Sequence, residues 1–430
     1  MIHLNQINYL IFDVIQIQRD IPIEYNVKNN EIYIGVNDCF YIETLFYFSS
    51  PTLTQNDLRV LDILIKGLTK QQSLQTIFNT LQNYKINILK LIHFFVNEFY
   101  LENKIELDKH SRIGACNVKQ EYTEYLEYPI VDILIYIFLK KIRMEHILKT
   151  KEIFFTCDYD ILDYHDHIGF KSTIKRFLNF LKNFTFCPII FELRSILLGW
   201  KYYQLNPFLN ETMFYTDNEK INNYNIYNIA FLLVSAKNIE FDINNNYRPA
   251  AIKKFLQNLS NKGIRFGIHP NYNTIEKAET LMNQNAIFED ITKHKPSDSR
   301  LHYLRFTTNS DFNTLENSSI KRDFSYAFAD SYLFRGARSC AVKFWDFKKN
   351  KTIDVLSYPL TLMDGIFSDY LKVNYETALS ISLKKITFAL NYGNSCVLLW
   401  HNRSMYKYGL PNNYHPKLFR EIKKYILKIV

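Results

Sequence analysis

At 430 residues, 47% hydrophobic and 22% charged, the chain has the composition of a folded globular protein with room for two or three domains, which excludes a disordered or collagen-like polymer. Its net charge of +9 is spread along the sequence without a basic run, so it describes a solvated surface better than a nucleic-acid footprint. Cys39, Cys116, Cys157, Cys187, Cys340 and Cys396 are scattered with no CxxC pair, which argues against a zinc ribbon or a disulfide framework and fits a reducing compartment.

The N-terminal stretch MIHLNQINYLIFDVIQIQRD lacks a basic leader followed by an unbroken apolar core, so it does not read as a signal peptide. Residues 1–50 carry short strands, of which EIYIGV (31–36) is the clearest. Residues 54–106 change to helical periodicity in three amphipathic runs, punctuated by Gly67-Leu68-Thr69 and Asn83-Tyr84 and followed by an extended tail. That order predicts a winged-helix-like module within an N-terminal α/β region at 1–150. With no concentrated basic recognition helix, docking of a protein partner or internal packing suits it better than binding DNA. The longest apolar run, Tyr128 to Leu139, is too short to span a bilayer and is interrupted by Asp132. A soluble, cytoplasmic protein without a transmembrane segment is the expectation.

From Lys151 the pattern alternates. Strands are predicted at 151–156, 229–235, 264–268, 302–306, 323–328 and 395–400, and helices at 171–183, 189–200, 248–262, 274–284, 375–391 and 415–429. Repeated β/α units joined by short loops imply a parallel sheet or barrel over 151–430, with polar residues at the C-terminal strand ends.

The first of these strands reads KEIFFTCDYD (151–160), an apolar run that ends in two acids, Asp158 and Asp160, which an interior tolerates only with compensation. IRFGI ends at His269 in GIHPNYNT, RLHYLRF carries His302 and Arg305, DFSYAFADSYLFRG offers Asp323 and Arg335, and SCVLLWHN ends at His401. In a β/α barrel such ends meet at one mouth. A metal there would neutralise the paired acids and acidify a water, while a histidine could protonate a leaving amine. Simpler readings stand beside these: the aspartates as caps, His269 as a loop residue, His302 as a satisfied core histidine, and Arg305 and Arg335 as partners of acids such as Asp323. His165 and His167 in DYHDHIG fall in the loop after the strand and read as surface.

Together FTCDYD, GIHPNYN, SRLHYLRF, DFSYAFADSYLFRG and VLLWHN resemble the polysaccharide deacetylase family, carbohydrate esterase family 4, over roughly 151–405, with DKHSRIG (108–114) and YPIVDILI (128–135) similar to the N-terminal part of a bacterial subgroup. The resemblance implies a distorted (β/α) barrel holding a divalent metal, usually zinc. It assigns Asp158 as base, His401 as acid and Asp160 and His269 as metal ligands, while Arg305, Asp323 and Arg335 are candidates for holding the substrate. The chain departs from the family twice. Tyr159 separates aspartates that are usually adjacent, and Asn273 stands where a second metal histidine is usual, so His302 is the candidate replacement. The implied activity is metal-dependent removal of an N-acetyl group from a sugar of a surface polysaccharide or its precursor. The alternative is a degenerate barrel that binds a glycan or precursor, or scaffolds other synthesis enzymes, without hydrolysis. A regulator acting through 54–106 would require a basic surface on that module.

Overall fold

A computed structural model of the chain describes residues 4–15, 24–28, 31–36, 39–44, 51–144, 151–162, 208–209, 211–214, 224–235, 240–242, 245–248, 250–276, 278–405 and 413–430. The predicted helices 171–183 and 189–200, and His165 and His167, lie outside the described residues.

In the N-terminal region, β1 (Glu24–Lys28), β2 (Glu31–Val36) and β3 (Cys39–Thr44) form an antiparallel sheet. Helices follow at Gln55–Thr69, Leu74–Leu81 and Ile88–Val96, matching the three amphipathic runs. The first begins at a capping box in which Thr54 and Asp57 satisfy each other's backbone amides, and Ser73 caps the second. The apolar run after Tyr128 is a buried helix, Ile130–Lys141. Asp132, in its first turn, accepts hydrogen bonds from the amides of Ser339 (2.7 Å) and Cys340 (3.1 Å), so the acid that interrupts the run fastens it to a segment two hundred residues away. No described helix is long and apolar enough to cross a membrane.

The second part is built on an eight-stranded sheet. Its strands are β4 (Lys151–Tyr159), β5 (Tyr224–Leu232), β6 (Arg265–Ile268), β7 (Asp298–Ser299), β8 (Arg322–Asp323), β11 (Leu356–Ser357), β12 (Leu362–Met363) and β13 (Ser395–His401); β9 (Trp345–Asp346) and β10 (Lys351–Thr352) form a separate hairpin. The order is β11-β8-β7-β6-β5-β4-β13-β12, and every pairing is parallel. Strands buried on both faces read as continuous apolar runs, which is why β4 and β13 stand out in the sequence.

The sheet curls. Phe154 on β4 packs at 5.2 Å against Phe324, next to β8, and at 4.8 Å against Tyr358, next to β11, although three and four strands intervene in the sheet order. The result is a distorted (β/α) barrel, open between the edge strands β11 and β12. Helices Ala250–Asn261, Ala278–Thr292, Tyr375–Tyr392 and His415–Ile429 belong to it. On β4 the outward residues meet these helices: Phe155 faces Phe419 at 6.2 Å and Tyr159 faces Phe255 at 5.6 Å.

Three predicted elements are corrected. Residues 302–306 are not a strand. The amides of Arg300 and His302 still bond to the carbonyls of Ile268 and Pro270, which explains the alternating pattern, but left-handed backbone at Tyr303 (φ 61°) and Leu304 (φ 52°) turns the chain out of the sheet. The strand expected at 323–328 shrinks to β8, after which the buried chain is irregular. The helix expected from 274 begins at Ala278, because 272–276 form turns that bond within themselves and to Asp242.

Candidate metal centre

Side chains along a strand alternate between its faces. Phe154 points into the barrel, so Thr156 and Asp158 do as well, and the chain stays extended far enough past Tyr159 for Asp160 to follow them. One intervening residue therefore puts both acids on the inner face at the mouth. They are 2% and 7% exposed, so their charges need partners.

Asp160 Oδ1 lies 3.2 Å from His269 Nε2 and 3.7 Å from His302 Nε2. One ligand atom from each of these three buried residues can be chosen so that all lie within 4.8 Å of one another. Both rings are oriented from behind. His269 Nδ1 is 2.5 Å from the carbonyl of Arg300, and His302 Nδ1 is 2.8 Å from Asp242 Oδ1. Each Nδ1 therefore carries the proton, which leaves the Nε2 lone pairs directed at Asp160, the arrangement in which imidazoles ligate metals. The 3.2 Å contact is too poorly aligned to be a hydrogen bond, and Asp160 Oδ1 and His269 Nε2 are buried without a hydrogen-bond partner among the described residues. Two orphaned buried lone-pair donors, converging with a second imidazole, fit a small divalent cation, and a carboxylate with two imidazoles suits zinc.

Two further groups border the cation site. Asp158 Oδ2 is 3.7 Å from His269 Nε2, and its Oδ1 accepts 2.7 Å from Arg300, a fully buried arginine lying over the Phe231 ring. Gly267 makes room for that ring, since a Cβ there would sit 2.4 Å from it. On the other side, β13 pairs directly with β4, with His401 opposite Asp158 in register. His401 Nδ1 is held 2.7 Å from Asp364 Oδ1, and its Nε2 faces Asp160 Oδ2 at 3.9 Å. Burial pulls the His401 imidazole down, but the Asp364 and Asp160 carboxylates outweigh it and raise its pKa to about 9. Burial opposes the charge on Asp160, yet the surrounding imidazoles hold its carboxyl well below the usual range.

Asp158, Asp160, His269, His302 and His401 are thus brought together. The other three sequence candidates are placed elsewhere. Arg335 is 2% exposed and forms a two-pronged pair with Glu98, whose Oε1 also accepts 3.0 Å from the Tyr326 hydroxyl. Arg305 donates to the carbonyls of His110 (3.1 Å) and Tyr272 (2.7 Å) and pairs with Glu276. Asp323 is bound by Ser299 and Ser325, and burial lifts its pKa to about 6. None of the three lines the cavity at the mouth. Asn273 lies half-buried in the turn after His269 and does not line it either. Arg300, Asp242 and Asp364, which orient the candidate base, one ligand and the candidate acid, were not singled out by motif. Arg300 could have been found from its place two residues before His302.

No protein-family model and no curated protein matches the chain. Among solved structures, it is similar to a crystal structure from Mycobacterium smegmatis provisionally named a polysaccharide deacetylase, at 11% identity and a TM-score of 0.36, covering 65% of this chain and 84% of that one.

Proposed function

We propose that the protein is a divalent-metal-dependent hydrolase that removes an N-acetyl group from an amino sugar of a polysaccharide or its precursor. The observation that carries this reading is the buried triad Asp160, His269 and His302, flanked on one side by an arginine-held carboxylate and on the other by a carboxylate-held imidazole. Acyl transfer from an amide to water needs an electrophilic centre, a base and an acid within reach of one another. Asp160, His269 and His302 would hold the cation, which would supply Lewis acidity toward an acetamide oxygen and acidify a water. Asp158 takes the proton from the attacking water, and Arg300 fixes that carboxylate in direction. His401 donates from Nε2 to the departing amine nitrogen; its Nδ1 is committed to Asp364, so only one ring nitrogen is free for the task. Zinc suits the donor set, and the sugar class follows from the motif resemblance.

The test has two parts. Elemental analysis of protein purified without chelator is expected to give about one divalent metal per chain, and acetate release is expected from at least one member of a panel of N-acetylated sugars, oligosaccharides and nucleotide-linked precursors. A metal-free protein whose melting temperature zinc does not change, and which binds a glycan without releasing acetate, would be the degenerate binding barrel instead.

A further inference from the structure

The cavity beside the triad has two aromatic walls, Tyr303 and Tyr370, and both are tied to one side chain from outside the barrel. Arg112 donates from Nη1 to the Tyr303 carbonyl (2.6 Å) and from Nη2 to the Tyr370 hydroxyl (2.7 Å), while its Nε (2.9 Å) and Nη2 (2.7 Å) hold Asp108. Arg112 is 5% exposed.

The loop that carries it is built for placement. Leu107 and Ile113 bridge its base, and Asp108 Oδ1 accepts from the amides of His110 (2.8 Å) and Arg112 (3.0 Å). The barrel then grips the loop from outside. Arg305 donates to the His110 carbonyl, the Thr307 hydroxyl donates to the Ser111 carbonyl (3.0 Å), and the Asp330 carboxylate accepts from the Ala115 amide (3.0 Å). Tyr303 sits in left-handed backbone, which a residue with a side chain adopts only where its surroundings compel it, and the bond from Arg112 to its carbonyl is part of that compulsion. Its ring is backed by His110 and His302, each at 4.6 Å, and is only half-buried. Tyr370 is 38% exposed, and its hydroxyl is the part that Arg112 restrains.

We propose that Arg112 is a positioning residue: it fixes Tyr303 and Tyr370 as a stacking site for a sugar ring next to the triad, so the N-terminal region completes the substrate site. This rests on the deacetylase reading. Arg112 does not itself bind the substrate, because four hydrogen bonds occupy its guanidinium and Asp108 neutralises its charge. Tyrosine rings at a cavity wall suit the apolar face of a sugar ring, so an N-acetylhexosamine is the class of ligand this position would take.

The experiment uses the full-length protein and three variants: Tyr370→Phe, which keeps the ring and loses only its tether, Tyr370→Ala, which removes the wall, and Arg112→Lys, which cannot bridge both tyrosines. Affinity for a panel of neutral N-acetylhexosamine oligosaccharides is measured by calorimetry, beside metal content, melting temperature and the KM and kcat of acetate release. Each variant should bind the best oligosaccharide about tenfold or more weakly, the loss expected for one interaction of a charged donor. KM should rise more than kcat falls, with metal content unchanged. Tyr370 is exposed, so its variants keep the test decisive if Arg112→Lys fails to fold. Undiminished affinity in both Tyr370 variants overturns the stacking site even if acetate is released normally. Weakened affinity without acetate release from the wild type supports the stacking site and removes the hydrolase reading. A wild type that binds no member of the panel overturns both.

Discussion

Asp158→Asn and His401→Ala will each leave the protein folded and metal-loaded while lowering acetate release by roughly 10²–10⁴-fold, the usual consequence of losing a positioned general base or acid. Neither residue belongs to the triad, so metal content is the control that separates loss of chemistry from loss of the site. The two residues are register partners on β4 and β13, so if both serve one reaction the double variant should lose far less than the product of the single losses. pH sharpens the assignment. His401 acts as an acid only while protonated, so activity should fall as pH rises through its pKa, about 9 with Asp160 fully charged and lower once a cation shares that charge. Asp364→Asn removes the carboxylate that props the imidazole up and should move this basic limb down by roughly one pH unit or more. The same linkage acts on stability. A histidine whose folded pKa is raised stabilises fully below its unfolded value and loses that contribution as pH rises toward 9. A basic limb that stays in place in Asp364→Asn would take the acid role away from His401.

The second large effect concerns His302 as a candidate metal ligand. His302→Ala should remove metal as thoroughly as His269→Ala, because each imidazole directs Nε2 at Asp160 and is held from behind at Nδ1. Asn273→Ala should leave metal content unchanged, since the buried triad is complete without this half-buried turn residue. Asp242→Asn tests the same geometry at one remove: it weakens the hold on the His302 ring, and partners of this kind typically contribute about 10–100-fold in metal affinity. The measurement is zinc affinity by competition with a chromogenic chelator. Equal binding by wild type and His302→Ala would make His302 a core histidine satisfied by Asp242.

Much of this site was legible because its parts sit at the ends of strong local signals. β4 and β13 are apolar runs that stop on Asp158, Asp160 and His401, and a parallel sheet buried on both faces produces just such runs. The spacing of the two acids was a puzzle on paper and is resolved by strand geometry. What was not legible is non-local. Asp242 follows β5 in a stretch without periodicity, and Asp364 follows a two-residue strand, so nothing nearby marks either as a histidine's partner. For Arg305 and Arg335 the sequence leaves a substrate role and pairing with an acid both open, because the acids they meet are not marked locally: Glu98, the partner of Arg335, lies more than two hundred residues upstream, and Glu276, the partner of Arg305, sits in a turn on another segment. RLHYLRF misled for another reason, since it keeps the alternation of a strand through its ladder bonds while its backbone turns away.

The pairing of Arg335 with Glu98 bears on how the chain can be divided. A cut near residue 150 looks natural where β/α alternation begins, yet it would strand a fully enclosed guanidinium without its counter-charge, an arrangement that typically costs about 3–5 kcal/mol. The same cut would take away Asp132 from the amides of Ser339 and Cys340, and the loop on which Arg305 closes. Residues 151–430 expressed alone are therefore expected to be less stable than the full chain. The leading residues thus supply the counter-charge and the loop contacts on which the barrel's buried arginines close.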